Sequence, residues 1–457
     1  MSRERVVVIG ADGAGMSAAH QALRVAADHG RDIDVLAFEA TEHTSYSACG
    51  IPYWIAGDVG SSDDLVARSA AEHRDRGVDL RMGVAVTALD LARAVVTTDD
   101  GGTHAFDQLV IATGAGPIVP DWARGSDGGL LRGVGPVKDL DDGTAWLDRF
   151  VSAGEGAEVV IAGGGYIGLE MAESALRRGL SVTLLTRSRV MHGLDPELGE
   201  RIVAALEESG VRVVERSTVV GLGTDEGRVV EVTTEDGRCY PCDLLVLALG
   251  VEPRTGIAAD AGLPVGDHGA LCVDERGLVV PGVWAAGDCC ETRHRLTGEA
   301  VFLPLGTHAN KMGRAVGTNL GGGSARFEGV LGTAITRFAD GQRSLEVART
   351  GLSEEEARAA GFDVLGLITE GTTASGYMPE AEPIAVKVVA ERGTRRLLGV
   401  QIVGGPGAGK RIDTAVVALW AEQTVDDVAA MDLSYAPPFS TTWEIVQIAV
   451  RRVADRL

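Results

Sequence analysis

Cys49 stands in the run Ser45-Tyr46-Ser47-Ala48-Cys49-Gly50-Ile51-Pro52-Tyr53, about one βαβ unit downstream of a glycine-rich loop, and no second cysteine follows within the next few turns. A thiol reacts as its thiolate, and its reference pKa is about 8.5. Pro52 is of a type tolerated in the first turn of a helix. The site therefore reads as a helix N-terminus, where the dipole and unpaired amides favour the thiolate. Each pKa unit of lowering is worth about 1.4 kcal/mol. Ser45 and Ser47 could hydrogen-bond near the sulfur or its substrate. If the loop upstream holds a flavin, such a thiol suggests sulfur redox chemistry without an internal disulfide partner; the alternative is a small buried core residue.

The elements that must position this thiol carry two nucleotide-type loops. Arg5-Val6-Val7-Val8-Ile9-Gly10 reads as a buried parallel strand, followed by Gly10-Ala11-Asp12-Gly13-Ala14-Gly15-Met16 and an Ala-rich helix. Gly10 allows the tight turn and Gly15 the close packing of helix on strand, and the helix N-terminus offers amides to a pyrophosphate. The next strand, Ile33 to Phe38, ends in Glu39, placed to accept from a ribose hydroxyl. Asp12 departs from the fingerprint, which has glycine there. The unit repeats at Glu158 to Ala162, with the complete fingerprint Gly163-Gly164-Gly165-Tyr166-Ile167-Gly168 and a second strand, Ser181 to Leu185. That strand ends in Thr186, Arg187 and Arg189 rather than an acid. Loss of the acid and gain of two guanidiniums favour a 2′-phosphate, hence NADPH, with NADH possible.

Two further strands end in glycine, at Ala112-Thr113-Gly114 and at Gly250, and a third ends in Gly287-Asp288. Asp288 could accept from a ribityl hydroxyl. A helix beginning near Thr307 could point its N-terminus at a flavin pyrimidine ring. Gly321-Gly322-Gly323-Ser324 reads as a linker. Beyond it, segments at 332–338, 384–389 and 397–403 read as antiparallel strands followed by two helices, an α+β domain without a nucleotide loop.

The 457 residues suggest three domains, and 45% apolar content supports a large core. The net charge of −23 argues against nucleic acid and anionic membrane as partners. No secretory leader or membrane-spanning run is read, so a cytoplasmic enzyme with largely reduced cysteines is expected. Cys239-Tyr240-Pro241-Cys242 has redox-motif spacing but falls at a hairpin exit. Cys289 and Cys290 are vicinal and poorly placed to join. The histidines are scattered, and no metal is expected.

In the order of these pieces the chain resembles the pyridine nucleotide-disulfide oxidoreductases along nearly its whole length. Within them it is most similar to the single-cysteine branch: coenzyme A-disulfide reductases, NADH oxidases and peroxidases, and persulfide reductases. The runs that carry the likeness are Ser45 to Tyr53, Gly163 to Glu173, Ala286-Gly287-Asp288, Pro304 to Lys311 and Tyr435-Ala436-Pro437-Pro438-Phe439. The resemblance implies an α/β protein with two Rossmann-like, glutathione-reductase-like domains and a C-terminal α+β dimerisation domain. It implies a split FAD-binding domain (1–115 and 251–323), an NAD(P)-binding domain (116–250) and a dimerisation domain (324–457). Gly10, Asp12, Gly13, Gly15, Met16, Glu39, Ala40, Val86, Ala112, Thr113, Gly114, Gly287, Asp288, Gly306 and Thr307 would line the FAD. Gly163, Gly165, Tyr166, Ile167, Gly168, Glu170, Thr186, Arg187, Arg189 and Gly250 would line the nicotinamide nucleotide, with Tyr166 as a gate.

Residue by residue, similar peroxidases and oxidases carry a histidine where this chain has Gly13, which counts against peroxidase chemistry. Similar coenzyme A-disulfide reductases bring two tyrosines to the other subunit's sulfur, matched here by Tyr377 and Tyr435. Those reductases commonly have Asn where Ala48 stands. The implied function is FAD-dependent reduction of a small disulfide, coenzyme A disulfide first, through Cys49 in a homodimer with shared sites. An NAD(P)H oxidase or a persulfide or polysulfide reductase would use the same sulfur. A flavoprotein reductase for a ferredoxin-like protein is an alternative of another class.

Overall fold

The computed structural model describes residues 3–457 and divides them into two compact units. One contains the chain up to Ile51, Val59–Pro117 and Val251–Val330; the other contains Pro52–Asp58, Ile118–Gly250 and Leu331–Leu457.

The first unit is built on a sheet in the strand order Leu278–Val280, Val283–Ala285, Gln108–Ile111, Glu4–Ile9, Ile33–Phe38, Val78–Arg81. Its central strand pairs in parallel on both sides, Val7 against Leu36 and against Leu109. Val6, Val7 and Val8 are buried, as the continuous apolar run of a doubly covered parallel strand requires. The first helix, Gly13–Asp28, packs on the helix Gly306–Leu320. Glycines make this approach possible: a Cβ at Gly313 would lie 2.2 Å from the Ala14 carbonyl oxygen, and one at Gly317 2.3 Å from that of Ala18.

The run Gly321-Gly322-Gly323-Ser324, expected as a linker, continues this packing. A Cβ at Gly321 would lie 2.6 Å from that of Val25, and the Gly323 amide donates to the Thr318 carbonyl at 2.9 Å. The chain stays with the first unit as far as Val330. These glycines therefore serve close packing, which composition alone does not distinguish from flexibility.

The second unit carries a parallel sheet in the order Arg212–Glu215, Ser181–Thr186, Glu158–Ala162, Leu244–Leu247, Val134–Pro136. A second five-stranded sheet is antiparallel, in the order Ala334–Ala339, Ser344–Gly351, Leu397–Gly404, Pro383–Glu391, Val364–Thr372. Two of these strands, Ser344–Gly351 and Val364–Thr372, go beyond the three expected from alternation. Both carry Thr, Glu or Gly among their apolar residues, which blurs the period. Three helices follow rather than two: Ile412–Trp420, Val425–Ala429 and Ile445–Ala454. Buried Lys387, on the strand Pro383–Glu391, reaches two helix starts, with Nζ 3.3 Å from Asp195 and 3.0 Å from both Glu197 and Glu354. Among the described residues no helix is long and apolar enough to cross a membrane.

Candidate active site

The first glycine loop is shaped by backbone. Gly10 has φ +94°, and a Cβ there would lie 2.2 Å from the Ala112 carbonyl oxygen. A Cβ at Gly15 would lie 1.9 Å from the Gly10 carbonyl oxygen, so the helix starts directly behind the strand. Glu39 faces this loop: Oε2 accepts from the Ala11 amide at 2.8 Å and Oε1 from the Thr41 amide at 3.0 Å. The first helix receives no side-chain cap from Asp12 and has no acid in its first turn. The helix Gly306–Leu320 is likewise uncapped at Leu305 and lacks a first-turn acid. Elsewhere Ser69, Asp139, Ser353 and Thr424 cap their helices. The two uncapped ends leave amides for an anion.

Gly287, at φ +89°, brings the Gly287-Asp288 turn against Ala14; a Cβ there would lie 2.8 Å from that of Ala14. Thr113 donates from Oγ1 to the Arg254 carbonyl at 2.5 Å, and Gly114 has φ +67°. The side chain nearest a Cβ at Gly13 would be the Asn310 amide, at 3.3 Å. Met16 is buried in the unit's apolar core, Ala40 is exposed just past Glu39, and Val86 opens a small antiparallel sheet.

Asp12 has a role that the motif did not reveal. Its carboxyl takes hydrogen bonds from the Gly13, Tyr46 and Ser45 amides, while burial, and then Glu39, push its pKa up to about 6. This aspartate thereby ties the first loop to the segment that carries Cys49.

That segment is held on both sides. Tyr46 bridges Val66, the Ser47 amide donates to the Leu65 carbonyl at 2.8 Å, and the Ala67 amide donates to that of Ser45 at 2.8 Å. Cys49 is exposed in the helical turn Ala48–Gly50, which runs on into the helix Ile51–Ala56. It therefore sits in the first turn, as Pro52 suggested. A Cβ at Gly50 would lie 2.3 Å from Leu65 Cδ2, which fits glycine next to the thiol. Ser45 has φ +49°, and its Oγ lies 2.9 Å from His73 Nε2.

The second glycine loop repeats the backbone of the first. Gly163 has φ +120° with a Cβ position 2.0 Å from the Ala248 carbonyl oxygen, and a Cβ at Gly168 would lie 2.0 Å from that of Gly163. Gly165 caps the helix Tyr166–Arg177 with no side-chain bond, and the space where its Cβ would stand is open. Ile167 is half-buried in the first turn. Gly250, at φ +98°, accepts from the Ile118 amide at 3.0 Å. Thr186 is buried, Arg187 is exposed, and the half-buried Arg189 lies 3.7 Å from Glu355. Glu215 accepts from the Val190 amide at 2.7 Å.

Glu170 Oε1 accepts from Thr336 Oγ1 at 2.8 Å and from the Tyr53 hydroxyl at 3.5 Å. Burial is the main cause that pushes the Glu170 carboxyl up to about 7 and the Tyr53 and Tyr166 phenols up to about 12. The Arg337 guanidinium stands 5.2 Å from the Tyr53 ring centre and donates to buried Glu173 at 2.9 Å. Tyr53 and Thr336 had no role in the sequence reading. Tyr53 lay in the quoted cysteine run, whereas nothing local marks Thr336, which is 166 residues from its partner.

Tyr377 and Tyr435 are 75% and 48% exposed. Their loops are joined, the Ser375 amide donating to the Pro437 carbonyl at 2.9 Å and Ser375 Oγ to that of Ser440 at 3.1 Å. Phe439 and Trp443, in the same stretch of chain as Tyr435, are also exposed. Cys239 is exposed and Cys242 buried, at the hairpin edge, and burial raises the Cys242 thiol to about 12. The buried sulfurs of Cys289 and Cys290 are 3.7 Å apart and not joined.

Two parallel-sheet folds with glycine loops and an antiparallel domain define the class, a two-dinucleotide oxidoreductase. The chain belongs to the pyridine nucleotide-disulphide oxidoreductases: the family pattern of that description matches residues 4–302, and the family's dimerisation domain matches residues 343–445. It is 37% identical over 454 residues to the NAD(P)H coenzyme A polysulfide/persulfide reductase of Pyrococcus horikoshii, covering 98% of each chain. It is 24% identical over 453 residues to the coenzyme A disulfide reductase of Staphylococcus epidermidis, covering 97% of this chain and 98% of that one. The structure of a NAD-dependent persulfide reductase from A. fulgidus superposes with a TM-score of 0.91 at 32% identity, covering 99% of this chain and 83% of that one. Membership implies FAD and NAD(P)H as cofactors.

Proposed function

We propose that this protein uses NAD(P)H and FAD to reduce low-molecular-weight sulfur–sulfur bonds, coenzyme A disulfide first, through Cys49. The observation that carries this reading is the placement of Cys49: exposed, in the first turn of a helix, in a segment anchored to Val66 and Asp12. The uncapped helices at Gly13 and Gly306, the Glu39 carboxylate and the Gly287-Asp288 turn fit FAD. The open space at Gly165 and the uncapped helix behind it fit the nicotinamide nucleotide, with Tyr166 and Glu170 along that helix. When bound, the flavin supplies Cys49 with electrons taken from that nucleotide.

The residues then have defined tasks. The Cys49 thiolate attacks a substrate disulfide, forms a mixed disulfide and expels one thiolate. Two electrons and a proton cleave the mixed disulfide, restore the Cys49 thiolate and release the second thiol. Tyr377 and Tyr435, from the exposed face of a second subunit, orient or protonate the leaving thiolate. Ser47 and Ser45 line the approach of the substrate.

Two choices follow from particular residues. Gly13 places no imidazole in the first loop, which favours a disulfide over a peroxide. Exposed Arg187 favours NADPH over NADH, while Arg189 shares its charge with Glu355. A persulfide or polysulfide of coenzyme A is the second reading, favoured by the relative of that name at 37% identity. Turnover of coenzyme A disulfide by wild type and Cys49→Ser tests the proposal. Thiol release should disappear in the variant while nucleotide still bleaches the flavin. Undiminished thiol release by Cys49→Ser would sink it.

A further inference from the structure

Ser45 is the end of a three-residue chain of hydrogen bonds. Its Oγ lies 2.9 Å from His73 Nε2, and His73 Nδ1 lies 2.7 Å from His20 Nε2. The two imidazoles are stacked with centres 5.0 Å apart and planes inclined by 23°. His73 is fully buried, whereas His20, on the first helix, is half-buried. The chain thus runs from the solvent side of that helix, through a covered imidazole, to a hydroxyl four residues before Cys49 in the same loop. Nothing in the sequence pattern marks it, since the three residues come from a helix, a loop and a second short helix.

We propose that His20 and His73 form a proton relay that recharges the Ser45 hydroxyl, so that Ser45 protonates the thiolate, oriented by Tyr377 and Tyr435, that Cys49 expels when it attacks the substrate disulfide. This rests on the reading of Cys49 given above. The bond between the two imidazoles needs one nitrogen with a proton and one without. In one arrangement His20 donates to His73, His73 donates to Ser45, and the Ser45 proton is free for an acceptor in the site. When Ser45 gives that proton to the thiolate, it takes one from His73 Nε2. His73 Nδ1 then takes one from His20 Nε2, and His20 Nδ1 takes one from water. One proton enters at His20 and one leaves at Ser45, as reduction of a disulfide to two thiols by NADPH and one proton requires.

The relay works only with neutral imidazoles, and the surroundings keep them so. Burial first, then His20 and the cations Arg68 and Arg76, pull His73 down to about 4, with Glu72 opposing. Burial, Arg68 and Arg76 also lower His20. Ser45 holds its place through backbone bonds independent of its hydroxyl, by way of Ala67 and Asp12.

Stopped-flow measurement of the two half-reactions on the holoenzyme tests this. In His73→Gln, reduction of the flavin by NADPH should stay within about twofold of wild type, while discharge of the reduced enzyme by coenzyme A disulfide slows by about tenfold or more. His20→Ala should slow discharge by about fivefold, and added imidazole should restore it. This half-exposed position keeps the test available if His73→Gln does not fold. Discharge within twofold of wild type in both variants, or a His20→Ala loss that imidazole leaves untouched, overturns the relay alone. A wild-type enzyme that coenzyme A disulfide does not discharge overturns the parent reading, and the relay with it.

Discussion

The two glycine loops have the same backbone and different surroundings. Gly10 and Gly163 both hold positive φ, with a carbonyl about 2 Å from where a Cβ would be, and Gly15 and Gly168 press equally closely on the turns before them. Around the first loop stand two carboxyls, Asp12 and Glu39, both accepting backbone amides. Around the second stand Thr186, Arg187 and Arg189, with Glu355 beside Arg189. A strand–glycine–helix motif therefore fixes where a pyrophosphate would go. The two loops differ in the residues at the end of the next strand. In the first loop, the extra acid also ties down the segment that carries Cys49.

If the shared backbone is what makes both loops, Gly10→Ala and Gly163→Ala should be equally damaging. Each adds positive-φ strain and a backbone clash, about 4 kcal/mol in sum. Thermal unfolding should show both losses, and a tolerated alanine at either position would break the equivalence.

The surroundings should separate the loops by pH. Asp12 holds its proton up to about pH 6 in the folded chain against 3.8 ordinarily. A group whose folded pKa is raised contributes stability that is complete below the unfolded value and is lost as pH rises through the folded one. Apoprotein stability should therefore fall by roughly 2–3 kcal/mol between about pH 4 and 6 from this group. Asp12→Asn should remove that component, and Glu39→Gln should shrink it by removing a charge that raises Asp12. Denaturant titration across this window measures both, and an unchanged slope in Asp12→Asn would contradict the account.

The sequence carried the two loops because their glycines answer to local geometry: a turn, a close approach and a strand before them. The place of Cys49 in the first turn of a helix was legible for the same reason, since Pro52 marks the start of that helix. What stayed hidden depends on contacts between distant residues. Asp12 looked like a flaw in a motif because its partners, the Ser45 and Tyr46 amides, lie more than 30 residues away. Thr336 reaches Glu170 only through the packed sheet, and His20 meets His73 across two helices. The glycines at 321–323 misled because flexibility and close packing use the same residue. The strand Val364–Thr372 was lost to its internal glycines.

The difference at the strand ends gives the next, smaller effect. Arg187→Ala should lower the ratio of kcat/KM for NADPH to that for NADH by about tenfold. An unchanged ratio would defeat the assignment of NADPH. Glu355→Gln should raise the same ratio by about twofold, by freeing Arg189 from its ion pair. A fall in that ratio would place Arg189 outside the nucleotide's reach.

The most direct test of Cys49 as the redox centre is mass spectrometry of the purified protein before and after NADPH. The account predicts a thiol adduct, coenzyme A first, on the peptide containing Cys49, released stoichiometrically on reduction. A Cys49 peptide with no adduct after treatment with coenzyme A disulfide, or an adduct that NADPH does not remove, would contradict it.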